Sequence, residues 1–219
     1  MTVNLQQAHS NMIEQQVRPS DVLNPQVLTA LNSVKREEFV DGALAGLAYA
    51  DTQLPIGFGQ VMLSPVQEGR LLQALNVQSN ETVLELGTGS GYFTALLATL
   101  ADHVFSVELI PELSASAQQA LTKAAISNVT LSLGDTSQAM DVTERFDVIV
   151  ATAAFVTIPD DYLQALQIGG RMLAVVGEEP VMSVQIIHRI SEREWQTETV
   201  SETVIPAMIN AEPKAEFNF

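Results

Sequence analysis

The chain contains no cysteine among its 219 residues. This absence excludes disulfide bonds, thiolate metal sites and a cysteine nucleophile. The three histidines, His9, His103 and His188, lie far apart in the sequence and lack the spacing of metal ligands. We therefore predict that the protein binds no metal.

Positive charge is also scarce. Ten lysines and arginines stand against 26 aspartates and glutamates, which gives a formal net charge of −16. A chain of this charge repels polyanions, so we expect no nucleic-acid partner. An acidic surface also keeps a protein soluble, and we attribute most of the charge to that effect.

Long apolar runs are missing as well. No stretch approaches the length that spans a membrane, and the segment Met1 to Gln16 is polar, without the basic start and apolar centre of a secretory signal. These features predict a cytoplasmic protein without a membrane partner. The length suits one α/β domain with an appendage rather than two independent domains.

The most informative segment that is present runs from Thr82 to Tyr92, with the sequence TVLELGTGSGY. Its apolar first half predicts a strand, its glycines predict a tight turn, and a helix is expected to follow. Glycines at alternate positions let the backbone pass against a ligand where any side chain would collide. The segment therefore predicts a binding site at the end of a strand.

The spacing of the glycines narrows the choice of ligand. A dinucleotide-binding turn reads G-x-G-x-x-G, whereas the turn of Gly87, Gly89 and Gly91 is one residue shorter. Glu85 precedes it, where a carboxylate would oppose a phosphate but suit a cationic ligand such as S-adenosylmethionine. Glu108 ends the next predicted strand, about where a ribose-binding acid belongs. A glycine-rich turn alone also suits a turn without a ligand, but its combination with the two acids favours S-adenosylmethionine as a cofactor.

The central part of the chain alternates predicted strands and helices, the pattern of a parallel sheet covered on both faces. Strands are predicted over residues 82–86, 103–107, 129–133, 146–151 and 171–176. Helices are predicted after Tyr92 and from Pro111, which suits a first helical turn. We expect the pair Gly169-Gly170 to close a third helix.

The C-terminal part lacks this alternation. Residues 181–190 and 195–204 resemble two strands joined by a polar turn, without a helix between them. They predict an antiparallel hairpin at the edge of the sheet. Residues 210–219 are predicted to form a loosely held tail.

The N-terminal part is predicted to consist of helices and loops. Asn24 is expected to cap a helix that ends at Ser33, and Asp41 to Ala50 is expected to form a helix of small residues. The loop Leu54 to Gln60 combines a proline and two glycines with apolar residues, so we expect it to pack over or bind something. Ser64 has the form of a helix cap, with a capping box completed by Gln67.

These patterns together predict an α/β fold: a Rossmann-like, doubly wound, mostly parallel sheet with an antiparallel C-terminal edge hairpin and an N-terminal helical and loop extension. We expect the extension to cover residues 1–76, the cofactor-binding core residues 77–209 and the tail residues 210–219.

The assembled motifs resemble those of the protein-L-isoaspartate O-methyltransferase family, in the seven-strand class of S-adenosylmethionine-dependent methyltransferases. The resemblance covers nearly the whole chain, and the N-terminal and loop matches are more specific than the glycine turn. The matching segments are MIEQQV at residues 12–17, VKREEFV at 34–40, LPIGFGQ at 54–60, VLELGTGSGY at 83–92, Val107-Glu108 and Gly169-Gly170-Arg171.

The resemblance implies S-adenosylmethionine as the cofactor and a peptide or protein bearing isoaspartyl residues as the substrate. It implies that Glu108 holds the ribose hydroxyls, that Asp135 approaches the adenine, and that their neighbours Leu109 and Thr136 also contact the cofactor. The residues that it places along the methionine part of the cofactor are Gly87, Thr88, Gly89, Ser90 and Gly91, and Glu85 is also expected to bind the cofactor. The loop from Leu54 to Ser64 would cover the methyl group and meet the substrate.

Two segments depart from the family pattern. Leu63 stands at the position of the family's active-site serine, and Ser64 comes one position later. After Gly134-Asp135 the family commonly has a second glycine and a longer loop, which Thr136 to Met140 replaces here. The remaining candidates for orienting a carboxylate substrate are Ser64, Thr152, Gln60 and nearby backbone amides.

Three hypotheses about function follow. The first is carboxyl methylation of isoaspartyl side chains for protein repair, which needs no general base because a carboxylate of pKa about 4 is already ionised near neutrality. The second keeps methyl transfer but changes the acceptor to a small molecule or another protein side chain. The third is a cofactor-binding protein that has lost turnover.

Overall fold

The computed structural model describes residues 4–138 and 144–211. Seven strands form the main sheet, in the order β5-β4-β3-β6-β7-β8-β9. Their bounds are β3 Thr82–Leu86, β4 His103–Glu108, β5 Val129–Leu133, β6 Phe146–Ala151, β7 Leu166–Glu178, β8 Val181–Ser191 and β9 Glu194–Glu202. β5, β4, β3, β6 and β7 pair in parallel, whereas β8 and β9 pair antiparallel. The predicted fold class and the C-terminal edge hairpin are both confirmed.

The strand order reverses at β3, which pairs with β4 on one side and with β6 on the other. In an open α/β sheet, ligands bind at such a point, outside the carboxyl ends of the strands. The loops that follow β3, β4, β5 and β6 therefore border one crevice.

Helices flank this sheet and form the N-terminal part. Their bounds are α1 Leu5–Asn11, α2 Pro25–Ser33, α3 Pro65–Leu75, α4 Tyr92–Leu100, α5 Pro111–Lys123 and α6 Asp160–Gln164. A π-helix, Met12–Val17, continues α1, and short 3-10 helices cover Arg18–Ser20, Arg36–Phe39 and Ala45–Leu47. Asn24 caps α2 as predicted, since its side chain accepts from the N–H groups of Gln26 and Val27.

The predicted helix from Asp41 to Ala50 is wrong. This segment folds into turns, with a 3-10 helix only at Ala45–Leu47. Gly42 and Gly46 lower the helix propensity of a ten-residue segment that has few large apolar residues to pack. The small residues follow the surface instead of forming a helical face.

The prediction that Gly169-Gly170 closes a helix is also wrong. Helix α6 ends at Gln164, and both glycines lie inside β7. A Cβ on Gly170 would lie 2.8 Å from the carbonyl oxygen of Asp147, and the pairing of β6 with β7 shifts register in this region. The glycine pair therefore permits a bulge and a close approach of two backbones.

The predicted loop from Leu54 to Gln60 is a small hairpin. β1 (Leu54–Gly57) pairs antiparallel with β2 (Gln60–Met62). Phe58 lies at its tip with a φ of 54°, and 59% of its surface is exposed. A non-glycine residue in this backbone region is uncommon, so the exposed ring is held at some conformational cost.

Two clusters of buried apolar residues form the core. One joins the N-terminal helices to the sheet through Met12, Leu31, Leu72, Leu96 and Val83, and the other contains Leu86, Ile149, Phe155, Tyr162 and Met172. The first cluster crosses residue 76, where we expect the N-terminal extension to end. The division of the chain at that residue stays a prediction.

Within the described residues, no helix is long and apolar enough to cross a membrane. The same part of the chain holds no group of three or more histidine, aspartate or glutamate side chains arranged as metal ligands. The cytoplasmic location and the absence of a metal and of a nucleic-acid partner stay predictions.

Candidate active site

The glycine turn after β3 brings its backbone against two other elements. Gly87 has a φ of 98°, and a Cβ there would lie 2.6 Å from Oγ1 of Thr152, which follows β6. Gly89 has a φ of 54°, and a Cβ there would lie 3.2 Å from Cδ1 of Ile56 in β1. A side chain at either position would be strained and crowded. The turn therefore consists of bare backbone packed against β1 and the end of β6, and its role as a cradle for a ligand stays a prediction.

Glu108 ends β4 and faces this cradle. Its Oε2 accepts a hydrogen bond from the N–H of Gly89 at 2.8 Å, and its Oε1 accepts from the N–H of Ile110 at 3.0 Å. Each carboxylate oxygen has two lone pairs, so both can accept a further hydrogen bond. Glu108 can thus hold the glycine turn and still bind a pair of hydroxyls.

Asp135 follows β5 on the same edge of the sheet. Its Oδ1 accepts from the N–H of Ser137 at 2.9 Å, and its Oδ2 accepts from Nδ2 of Asn210 at 2.7 Å. Donation from Ser137, supplemented by Asn210, lowers the pKa of the Asp135 carboxyl below its usual value. Asp135 is therefore an anion that already has two donors.

Thr136 connects this edge to the C-terminal segment. Its hydroxyl donates to the sulfur of Met208 at 3.2 Å, and its carbonyl accepts from the hydroxyl of Tyr162 at 3.0 Å. Burial raises the pKa of Tyr162, so its hydroxyl remains a donor. These bonds fix the residue after Asp135 against the pocket wall. Ala139 and Met140, in the segment that departs from the family pattern, lie outside the described residues.

One open pocket lies where these parts meet. Many of the predicted site residues line it: Gln60, Gly87, Gly89, Glu108, Leu109, Asp135, Thr136 and Thr152, together with Leu63. The β1–β2 hairpin forms one side of the pocket and the carboxyl ends of the strands form the other. A ligand in this pocket would lie between the glycine turn and the hairpin.

Ser64 does not line this pocket. Its Oγ accepts from the N–H of Gln67 at 3.4 Å, while the Gln67 side chain accepts from the N–H of Ser64 at 3.1 Å. This reciprocal pair is the capping box that the sequence predicts at the start of α3. The structure therefore gives Ser64 a structural role at the helix start.

Thr152 lines the pocket, but its hydroxyl is engaged. It donates to the carbonyl of Gly87 at 2.6 Å. Gln60 opens β2 and is among the residues that line the same pocket, and its side-chain amide carries two N–H donors. Among the three predicted candidates, Gln60 is best placed to donate to an anionic acceptor.

Glu85 and Thr88 are buried behind the turn. Oε2 of Glu85 accepts from the hydroxyls of Thr94 at 2.5 Å and Ser106 at 2.6 Å, and Ser106 is 2.6 Å from Oγ1 of Thr88. Burial raises the pKa of Glu85 to about 8. This chain of hydrogen bonds ties the turn to β3, β4 and α4, so Glu85 supports the cradle from behind.

Ser90 and Gly91 complete the turn next to α4. The Ser90 hydroxyl accepts from the N–H of Tyr92 at 3.3 Å, and Gly91 is the N-cap residue of α4. A Cβ on Gly91 would lie 3.0 Å from the Cβ of Ala117 in α5. Neither residue lines the pocket, and both shape the helix that follows it.

The C-terminal segment supplies pocket residues that the sequence reasoning missed. Pro206, Met208 and Ile209 line the pocket. The N–H of Ala154 donates to the carbonyl of Pro206 at 2.9 Å, and the N–H of Met208 donates to the carbonyl of Ala154 at 2.8 Å. The apolar run of residues 205–209 after the edge hairpin could have indicated a buried segment. The sequence does not show that this segment pairs with Ala154, because Ala154 lies about 50 residues earlier in the chain.

Comparisons of the sequence with known proteins all point to one family. The sequence model of the family described as Protein-L-isoaspartate(D-aspartate) O-methyltransferase matches residues 6–211. A protein-L-isoaspartate O-methyltransferase of Syntrophus aciditrophicus is 39% identical over 192 residues, which is 88% of each chain. A protein of the same name from Yersinia pestis (strain Pestoides F) is 38% identical over 197 residues, 90% of this chain and 94% of the relative.

A solved structure shares the fold. It is a Plasmodium falciparum protein described as a protein-L-isoaspartate O-methyltransferase in complex with S-adenosyl-L-homocysteine. The TM-score is 0.80 at 16% sequence identity, and the alignment covers 94% of this chain and 99% of the other. From the match over residues 6–211 and the identity to its relatives, this chain belongs to the protein-L-isoaspartate(D-aspartate) O-methyltransferase family.

Proposed function

We propose that this protein is an S-adenosylmethionine-dependent methyltransferase that esterifies the free carboxyl group of L-isoaspartyl residues in proteins or peptides. Family membership supports the reaction class, the cofactor and the substrate class. The observation that carries the proposal is the pocket, in which the glycine turn, Glu108 and the β1–β2 hairpin meet. It offers a cofactor side and an acceptor side in one cavity.

The cofactor side fits S-adenosylmethionine. Gly87 and Gly89 line the pocket without side chains, and Glu108 keeps unused lone pairs for the ribose hydroxyls. Asp135, as an anion, would accept from the amino group of the adenine. When bound, S-adenosylmethionine supplies an electrophilic methyl group and leaves as S-adenosylhomocysteine.

The acceptor side would chiefly align a carboxylate. An isoaspartyl carboxylate is ionised near neutrality, so the protein has no proton to remove and gains rate by holding one oxygen behind the methyl carbon. Gln60 would donate to this carboxylate from β2. Leu63 would exclude water from the neighbourhood of the substrate carboxylate, because Leu63 is buried and lines the pocket. Desolvation strengthens the electrostatic contacts that remain.

Methyl transfer from labelled S-adenosylmethionine to an isoaspartyl peptide tests this function. We expect label in the isoaspartyl peptide and none in its aspartyl twin. Gln60→Ala should lower kcat/KM about 10-fold to 100-fold, because a hydrogen bond to a charged group contributes about 1.5–3 kcal/mol. Equal labelling of the two peptides, or no labelling of either, would contradict the proposal.

Leu63 favours a second candidate function, methyl transfer to a different acceptor. It puts a hydrocarbon side chain at the pocket wall where the resemblance places a serine. An acceptor with an apolar surface next to its nucleophile would match this wall. If the parent protein is inactive on isoaspartyl peptide and Leu63→Ser creates that activity, this second function is favoured.

A further inference from the structure

A buried arginine connects the two sides of the pocket. Arg36 belongs to the 3-10 helix Arg36–Phe39, and its side chain is 0% exposed. Its Nη1 is paired with Oε2 of Glu68 in α3, which is 1% exposed. Both side chains are thus removed from water and satisfied by each other.

The same guanidinium reaches the acceptor side and the cofactor side. Its Nη2 donates to the carbonyl of Leu63, a residue that lines the pocket. Its central carbon lies 4.9 Å from the ring centroid of Tyr92, the first residue of α4 after the glycine turn. One rigid planar group therefore contacts the hairpin segment, α3 and the helix that carries the turn.

A gain in folding free energy does not explain this arrangement well. Removing two charges from water costs much of what their attraction returns, and buried ion pairs can often be replaced by apolar residues without loss of stability. Burial raises the pKa of Glu68 to about 8 even though Arg36 opposes the shift. Among the described residues, Nε of Arg36 also has no hydrogen-bond partner. The Arg36–Glu68 pair therefore adds little to the free energy of folding, and its effect is to hold the guanidinium in one position.

We propose that Arg36, held by Glu68, is a positioning residue that sets the distance between the Leu63 wall and the glycine turn, and thereby aligns the acceptor with the methyl donor. The inference rests on the proposed function for its kinetic part. Arg36 touches neither substrate nor cofactor, because its side chain is fully buried. It acts through the backbone of Leu63 and the ring of Tyr92.

Two variants test this proposal. Arg36→Met combined with Glu68→Leu keeps the volume without charge, and Arg36→Lys keeps the charge without the planar fork. In each variant that unfolds cooperatively, we expect kcat to fall between about tenfold and a hundredfold, since small misplacements of reacting groups have effects of this size. The Kd for S-adenosylhomocysteine, measured by calorimetry, should stay within about twofold because Tyr92 does not line the pocket and the hydrogen bonds of Glu108 to the turn are unchanged.

A matched control exists at the opposite end of the sheet. Arg171 is paired with Glu81 at 2.8 Å and also donates to the carbonyl of Asn76 at 2.8 Å. Arg171→Met combined with Glu81→Leu removes a comparable ion pair that does not contact the pocket. We expect kcat to stay within about twofold in this control, provided that it too unfolds cooperatively.

Hydrogen exchange separates this inference from the proposed function, because it needs no acceptor. With S-adenosylhomocysteine bound, the backbone amides of residues 54–63 should exchange faster in the Arg36 variants than in the parent. The exchange rates of residues 87–91 should be the same in the variants and the parent. Unchanged exchange at residues 54–63, or kcat within about twofold of the parent in a folded variant, would overturn the positioning role. A parallel loss of cofactor affinity would overturn it too. Failure of the parent itself to methylate isoaspartyl peptide would instead contradict the proposed function.

Discussion

Glu108 is the residue that most directly joins local structure to cofactor binding. Its two oxygens hold the N–H groups of Gly89 and Ile110, so the acid that would bind the ribose also fixes the turn that would bind the methionine. A substitution of Glu108 should therefore weaken the binding of both the ribose and the methionine part of the cofactor. The sequence predicts this position from the end of a strand, and the structure supplies the contact with the turn.

Glu108→Ala should weaken S-adenosylhomocysteine binding about 10-fold to 100-fold, because hydrogen bonds to a charged group contribute about 1.5–3 kcal/mol. Isothermal titration calorimetry measures the change. Glu112→Ala is the matched control, since Glu112 is an exposed acid in the first turn of α5. Equal affinity of the Glu108 variant and the parent would contradict the assignment of Glu108 to the ribose.

Gly87 allows a sharper test, because a second glycine of similar backbone lies elsewhere. Gly87→Ala would combine a φ of 98° with a Cβ 2.6 Å from Oγ1 of Thr152. Gly169→Ala would have a φ of 87° with nothing described within 4 Å of its Cβ. Both variants should lose about 1–3 kcal/mol of stability from the backbone, measured by urea unfolding.

Only Gly87→Ala should also lose cofactor affinity, by at least about tenfold, because only there does the new methyl group displace pocket atoms. Calorimetry with S-adenosylhomocysteine compares the two variants. If Gly169→Ala lost as much affinity as Gly87→Ala, general backbone strain rather than the cradle would be the cause.

At the level of elements, the hairpin and Leu63, which lies just before α3, form the proposed acceptor side. Residues 54–62 form β1 and β2, Leu63 follows, and Ser64 caps α3. The capping box fixes where the helix begins, directly after Leu63. Ser64 therefore caps the helix, and Leu63 is the neighbouring residue that lines the pocket.

Ser64→Ala should lower the free energy of unfolding by about 1 kcal/mol, the usual effect of losing an N-cap side chain. Its kcat should stay within about twofold of the parent once the protein is folded, because the hydroxyl does not line the pocket. Chemical unfolding and initial rates measure the two effects. Ser64→Asp should restore the stability, since aspartate also caps helices. A large loss of kcat with unchanged stability would make Ser64 catalytic after all.

At the level of the whole molecule, stability depends on carboxyl groups that the fold buries. Glu85 is fully buried, and burial raises its pKa from 4.5 to about 8. Between these values the folded protein keeps a proton that the unfolded chain releases. The contribution of Glu85 is therefore fully present below pH 4.5 and is lost as the pH rises toward 8.

Glu85→Gln should remove this loss, because glutamine is neutral at every pH. Relative to the parent, the variant should gain stability between pH 5 and pH 8, by an amount on the order of a few kcal/mol. Urea unfolding at several pH values measures the difference, with the exposed Glu198→Gln as the control. A difference between variant and parent that is the same at pH 5 and pH 8 would contradict the raised pKa.

Much of the fold could be predicted because it is local. The strands, the capped helices and the glycine turn each have a signal within about ten residues, set by side-chain periodicity and backbone preference. Local signals gave the wrong prediction at Gly169-Gly170, because a pair of glycines is equally compatible with a helix end and with a bulge in a strand. The choice depended on the carbonyl of Asp147, which belongs to the neighbouring strand.

The sequence by itself determined the class of the sheet, the cradle for the cofactor and the acids at the strand ends, since parallel strands bring their carboxyl ends to one edge whatever the details of packing. Only the tertiary structure decided the acceptor side. It engaged the hydroxyl of Thr152, brought Met208 to the pocket and set Arg36 between Leu63 and Tyr92. Those contacts join residues far apart in the chain, and they form only when burial and hydrogen bonding are satisfied together.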